Sequence, residues 1–172
     1  MKFSVSLNQK DIKRLQKHLE QYSKSLEDKC REFTRKLLER GIEVANARIE
    51  KGNPNSDTPK PKVDIKVHDG LPVSGSLIVS GEGVLFWEFG SGNYYNPQEN
   101  PKAAEFGMGT GTYPGQTHVP DPGYWFYYKD GEKKKENKRF SRGTMATMPT
   151  FMADVEMINS IEEVAREVFG NV

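Results

Sequence analysis

Apolar residues recur along the first fifty positions in steps of three and four. From Asn8 the series Ile12, Leu15, Leu19, Tyr22 and Leu26 marks one face of a helix. A step of four then leads to Cys30, and the stripe continues through Phe33, Leu37, Leu38, Ile42, Ala45 and Ile49. That extra step is either a stutter within one helix or a break between two. Ser25, followed by Leu26, Glu27 and Asp28, has the hydroxyl and first-turn acids of a helix start. Two helices are therefore expected, near 9–24 and 26–50, with the first stripe available to fill the core. An unbroken helix would run about 60 Å at 1.5 Å per residue and would have to project or pack on a neighbour.

Beyond the breaker stretch GNPNSDTPKPK the period changes to two. Val63, Ile65 and Val67 alternate with Asp64, Lys66 and His68, as in a strand with one wet face. Val73 to Val79 and Val84 to Phe89 read as two further strands, joined through Ser80-Gly81-Glu82-Gly83. Residues 91–122 carry turn formers every few positions and read as irregular. Tyr124, Trp125, Phe126, Tyr127 and Tyr128 then meet the turn pair Asp130-Gly131, and Lys138 to Phe140 returns, which predicts a hairpin with a basic tip. A last helix is predicted near 149–169, where Phe151, Met152, Val155, Ile158, Ile161, Val164, Ala165 and Val168 form a broad apolar stripe.

The expected fold class is α+β, a single domain over 1–172. N-terminal helices (9–50) and a C-terminal helix pack on a small antiparallel sheet (63–90), with a loop and hairpin insertion at 91–142.

Composition narrows the function classes. A chain of 172 residues with 35% hydrophobic content supplies one core. With 25 basic against 24 acidic side chains the net charge is +1, so no global field draws the protein to nucleic acid or an anionic membrane. Cys30 is the only cysteine, which excludes an internal disulfide and a cysteine-rich zinc site. The start MKFSVSLNQKDIKRL lacks the apolar stretch of a secretory signal, and no run of about 18 apolar residues exists, so a soluble product with no membrane partner is expected.

Candidate chemistry is sparse. Gly107-Met108-Gly109-Thr110-Gly111 suits a phosphate loop only superficially, because no Gly-Lys-Ser or Gly-Lys-Thr follows and Tyr113-Pro114 interrupts. His18, His68 and His118 are scattered over three segments without metal-ligand spacing. Ser74, Ser76 and Ser80 lack a nucleophile elbow. Glu88 is an acid in an apolar run. It could pair with Asp121 or Asp130, or with His118 and Asp121, as hydrolytic machinery. Otherwise it is structural, capped by backbone amides or a base such as Arg142, since a buried carboxylate is costly without partners.

Two surfaces suggest binding. Lys133, Lys134 and Lys135 open a basic run that could meet DNA phosphates, although Glu132 and Glu136 dilute it and a solvated tip is the simpler reading. In the aromatic block, Tyr124, Phe126 and Tyr128 alternate with Trp125 and Tyr127, so only one face of the strand can enter the home core. The other face wants a partner protein, or stacks a sugar or base.

The order of features also resembles a known family. Paired helices and a short sheet lead to Trp87-Glu88-Phe89-Gly90-Ser91-Gly92, then to Gly111-Thr112-Tyr113-Pro114-Gly115-Gln116-Thr117, and then to Arg142-Gly143 before Met148-Pro149-Thr150-Phe151-Met152. This pattern is similar to the phage tail-component family, labelled gp-ten-like or tail-completion proteins, of long-tailed phages of Gram-positive hosts. Relatives tend to place Pro beside Phe where Thr150 intervenes here. The resemblance implies a virion protein without catalytic residues or cofactor, which joins the tail tube or its terminator to the head-side connector. It further implies a homo-oligomeric ring, six-fold to match a tail tube, with DNA possible in its channel. Segment 91–142 is expected to become ordered against its neighbours in that assembly.

Overall fold

The computed structural model describes residues 8–52, 59–90, 100–108, 125–128, 134–141 and 144–170, and for 125–128, 137 and 139–141 it describes the backbone alone. The α+β class holds: two long helices pack together and against a two-stranded antiparallel sheet.

The first fifty residues depart from the expected helix pair. A single helix, α1 (Gln9–Glu50), runs through Ser25 for 42 residues. Its start is capped by Asn8, whose Oδ1 accepts from Asp11 N at 2.8 Å. No proline and no glycine before Gly41 interrupts it, and Ser25 sits exposed within it. The step from Leu26 to Cys30 is thus a stutter. It turns the stripe without breaking the hydrogen-bond ladder.

Strands β1 (Lys62–His68) and β2 (Ser74–Ser80) pair in the register Val63 to Val79, Ile65 to Leu77 and Val67 to Gly75. The face carrying those residues lies under α1. At Gly75, an added Cβ would stand 2.7 Å from Leu38 Cδ1.

The third expected strand is a helix. Val84–Phe89 forms α2, entered at Gly83 (φ 71) and left at Gly90 (φ 77), with Gly90 N donating to Phe86 O at 2.8 Å. A six-residue apolar run suits either a buried strand or a buried helical turn. Flanking glycines in left-handed or related conformations decide for the turn here. The sheet consequently ends at Ser80.

α3 (Pro149–Phe169) lies antiparallel to the second half of α1. Phe33 meets Phe169 with ring centroids 5.8 Å apart, Lys36 pairs with Glu167, and Arg40 pairs with Glu163 at 2.8 Å. Leu38, Ala45 and Ile49 of α1 and Ala153, Val164 and Val168 of α3 are buried. At Gly41, α1, α3 and β2 approach most closely, since an added Cβ would sit 2.9 Å from Met157 Sδ and 3.0 Å from Leu77 Cδ1.

Because Phe33 faces the last residue of α3, the 24 residues of α1 before it extend beyond that end, by about 36 Å at 1.5 Å per residue. Ile12, Leu19, Tyr22 and Leu26 on this arm are exposed. Contrary to the expectation from its pattern, the first stripe does not fill the home core; the buried part of α1 starts at Leu38.

β3 (Trp125–Tyr128) and β4 (Lys138–Ser141) form the expected hairpin, with Phe126 opposite Phe140 and Tyr128 opposite Lys138. One 3-10 turn covers Ala103–Phe106 and another, Lys135–Asn137, leads into β4. Of the 91–142 insertion, residues 91–99, 109–124, 129–133 and 142 lie outside the described residues.

Candidate functional site

The segment Trp87-Glu88-Phe89-Gly90 is the hub of the described body. The indole of Trp87 is buried, and its Nε1 donates to Pro59 O at 2.9 Å. Gly52, just past α1, lies against the same ring, where an added Cβ would be 2.1 Å from Cζ3. The Trp87 carbonyl accepts from Thr147 N at 2.9 Å and from Met148 N at 3.1 Å. One residue thereby ties the end of α1, the chain entering β1 and the chain entering α3.

Glu88 completes the tie. Its Oε2 accepts from Thr150 N at 2.8 Å, and its Oε1 accepts from Phe151 N at 3.0 Å and from Asn100 Nδ2 at 2.8 Å. Thr150 and Phe151 belong to the first turn of α3, whose amides have no partner within the helix. The residue at the cap position is Met148, at φ 54, with no side-chain oxygen to offer. Glu88 supplies that oxygen from another element and places a negative charge at the positive end of α3. Asn100 is almost fully buried beside it, and its Oδ1 accepts from Lys102 N at 2.9 Å, which fixes the start of the 3-10 turn.

A carboxylate bound in this way is committed to structure. Asp121, Asp130 and His118 lie outside the described residues, as does Arg142, so Glu88 is described with two amides and an asparagine for donors.

Beside the hub an open cleft of ≈ 500 Å³ separates α2, α3 and the 3-10 turn. Phe89 and Phe106 meet in it at a tilt of 48° with centroids 5.7 Å apart, Leu85, Phe151 and Met157 line it, and Lys102 pairs with Asp154 at 3.7 Å. Leu85 and Phe106 are exposed at its mouth. The lining is mainly apolar, with Glu88, Asn100, Thr150 and the Lys102–Asp154 pair as its polar members.

The other expected site residues are less concentrated. Trp125, Phe126, Tyr127 and Tyr128 lie on β3, and Tyr124 is outside the described residues. Lys134 and Lys135 are exposed near the hairpin, whereas Lys133, Gly92 and Gly143 fall outside the described residues. His68 accepts or donates at 2.8 Å to Ser76 Oγ on the sheet. Among the described residues no group of three or more His, Cys, Asp or Glu side chains could hold a metal ion, and no helix is long and apolar enough to cross a membrane. Sequence reasoning missed Asn100 and the exposed arm. The Asn100-Pro101 pair is a turn signal that could have drawn attention to the first.

No family model, no curated protein and no solved structure matches this chain significantly.

Proposed function

We propose that this chain is a structural subunit of a tailed bacteriophage. It is a tail-completion or neck component that joins the tail tube or its terminator to the head-side connector by ring assembly, without catalysis or cofactor. The observation that carries an assembly role is the α1 arm, which holds Ile12, Leu19, Tyr22 and Leu26 exposed on one stripe. A soluble monomer gains nothing from such a stripe, while a subunit with neighbours buries it. The phage assignment itself draws on the resemblance carried by Trp87 to Gly92, Gly111 to Thr117 and Arg142 to Met152. The commitment of Glu88 to the cap of α3 agrees with a non-enzymatic role.

Deletion of the gene from a phage that encodes it tests this reading. The expected result is filled heads and separate tails in electron micrographs, restored to joined particles by the intact gene, with the chain present in purified virions. Joined, infectious particles without the gene would overturn the proposal. So would hydrolysis of cell wall or nucleic acid by the purified protein.

A further inference from the structure

We infer that the basic face of the α1 arm binds the phosphate backbone of a nucleic-acid duplex. This goes beyond the assembly role above and stands without it.

The arm carries its positive charge in one row. At about 100° per residue, Lys10, Lys13, Arg14, Lys17 and Lys24 fall within an arc of about 100° on α1. Between Lys10 and Lys24 the only other residue on that arc is Gln21, and the acids Asp11 and Glu20 lie outside it. Past Lys24, Asp28 and Glu32 bring acids onto the same face, and the row ends. The α1 cations that form ion pairs are Arg31, Lys36 and Arg40, all beyond Asp28. Lys10, Lys13, Arg14, Lys17 and Lys24 are exposed and form none among the described residues. The row also lies wholly on the part of α1 that extends past the end of α3, since Lys24 stands about 13 Å before Phe33 at 1.5 Å per residue. Cations gathered along one helix face are the electrostatic footprint of nucleic-acid binding.

The layout of the arm selects this partner. Ile12, Leu15, Leu19, Tyr22 and Leu26 occupy the face opposite the cations. A helix lying on an anionic membrane buries its apolar face and holds the flanks of that face at the level of the headgroups. Here Asp11 stands on one flank and Glu20 on the other, while the cations sit at the far pole, turned to water. A protein interface has apolar anchors at its centre, and this row holds none. Single strands are gripped by aromatic stacking as well as by charge, and Tyr22 points away from the row. A duplex backbone needs only cations in a line. Along the roughly 21 Å from Lys10 to Lys24 it presents about twelve phosphates, at one charge per about 1.7 Å of its axis. The net charge of +1 adds no long-range pull, so the contact depends on this row.

The test is fluorescence anisotropy of a labelled DNA duplex titrated with the full chain, repeated with a duplex of unrelated sequence and with one strand alone. Equal affinity for the two duplexes is expected, and weaker binding to the single strand. For about five phosphates neutralised per chain, log K should fall against log salt with a slope of about −4 to −5, a loss of roughly 500-fold between about 0.05 M and about 0.2 M salt. Lys10→Gln, Arg14→Gln and Lys17→Gln combined should make that slope shallower by about 3. Lys10→Arg with Lys17→Arg should retain it, and Leu19→Ala should leave it unchanged. Circular dichroism matching the wild type shows that each variant is folded. Absence of duplex binding at about 0.05 M salt would overturn the inference, as would a slope that the glutamine variant does not move. Loss of binding on Lys134→Gln with Lys135→Gln, but not on the arm variant, would overturn it in favour of the hairpin. Tighter binding to the single strand would overturn it as well, and so would binding to phosphatidylglycerol vesicles, abolished by Leu19→Asp, in a chain that ignores the duplex.

Discussion

Glu88 fills a position that most helices fill locally. Its carboxylate does for α3 what a serine or aspartate one residue before the helix ordinarily does. In Glu88→Gln one side-chain oxygen becomes an amide nitrogen facing a backbone N–H, so a loss of about 1 to 3 kcal/mol in urea denaturation is expected. Asn100→Ala removes a single donor to the same group and should cost less. Gly52→Ala forces a methyl into the Trp87 ring and is expected to cost about 1 to 3 kcal/mol. A fluorescence shift of Trp87 reports the displacement. The sequence made Glu88 conspicuous, because an acid stands out among Leu85, Phe86, Trp87 and Phe89. Its partners left no such mark, since backbone amides 62 and 63 positions away have no residue type to betray them.

Among the elements, α1 divides into two halves with opposite demands. Leu38→Ala in the buried half should cost about 2 to 5 kcal/mol in thermal or chemical unfolding. Leu19→Asp on the arm should change stability by no more than about 0.5 kcal/mol. Amides of residues 12 to 26 are likewise expected to exchange with solvent faster than those of 38 to 49. The Lys36 ammonium is held above its ordinary range chiefly by its hydrogen bond to Glu167, which outweighs the opposing desolvation, with smaller support from the charges of Glu167, Glu32 and Glu39. A base whose pKa rises on folding contributes stability below its unfolded value and loses it as pH rises through the folded one. The difference in urea midpoint between wild type and Lys36→Met should therefore shrink as pH climbs through the lysine range. Periodicity made the helical state of 9–50 and 149–169 legible, together with the strands near 63–68 and 73–79 and the pairing of 124–128 with 138–140, whereas the hairpin expected through Ser80 to Gly83 is absent because 84–89 is helical. It did not reveal whether one helix or two occupied the first stretch, because a stutter and a break share the same four-residue step. Nor did it separate strand from helix at 84–89, where every position is apolar except Glu88.

For the molecule as a whole, a net charge of +1 conceals a basic arm and an α3 whose acids are met within the chain, Glu163 by Arg40, Glu167 by Lys36 and Asp154 by Lys102. If the basic arm is what binds a neighbour, raising salt from about 0.05 M to about 0.5 M should weaken that association, because the Debye length contracts over that range. The sequence disclosed the balance of charge, but its separation in space depends on α1 running straight past the end of α3. The remote cap of α3 has a further consequence, for the order in which the chain folds. The α1 and α3 interface joins residues further apart still, such as Phe33 and Phe169, but a broad apolar contact offsets that entropy. The cap is a few hydrogen bonds that need the first turn of α3 already in place, so the carboxylate reaches those amides after the interface has formed. An interaction made so late hardly alters the rate of crossing the barrier toward the native state, while its loss accelerates the return. In stopped-flow measurements Glu88→Gln should thus refold nearly as fast as the wild type and unfold faster, so that the residue acts as a latch on the finished structure.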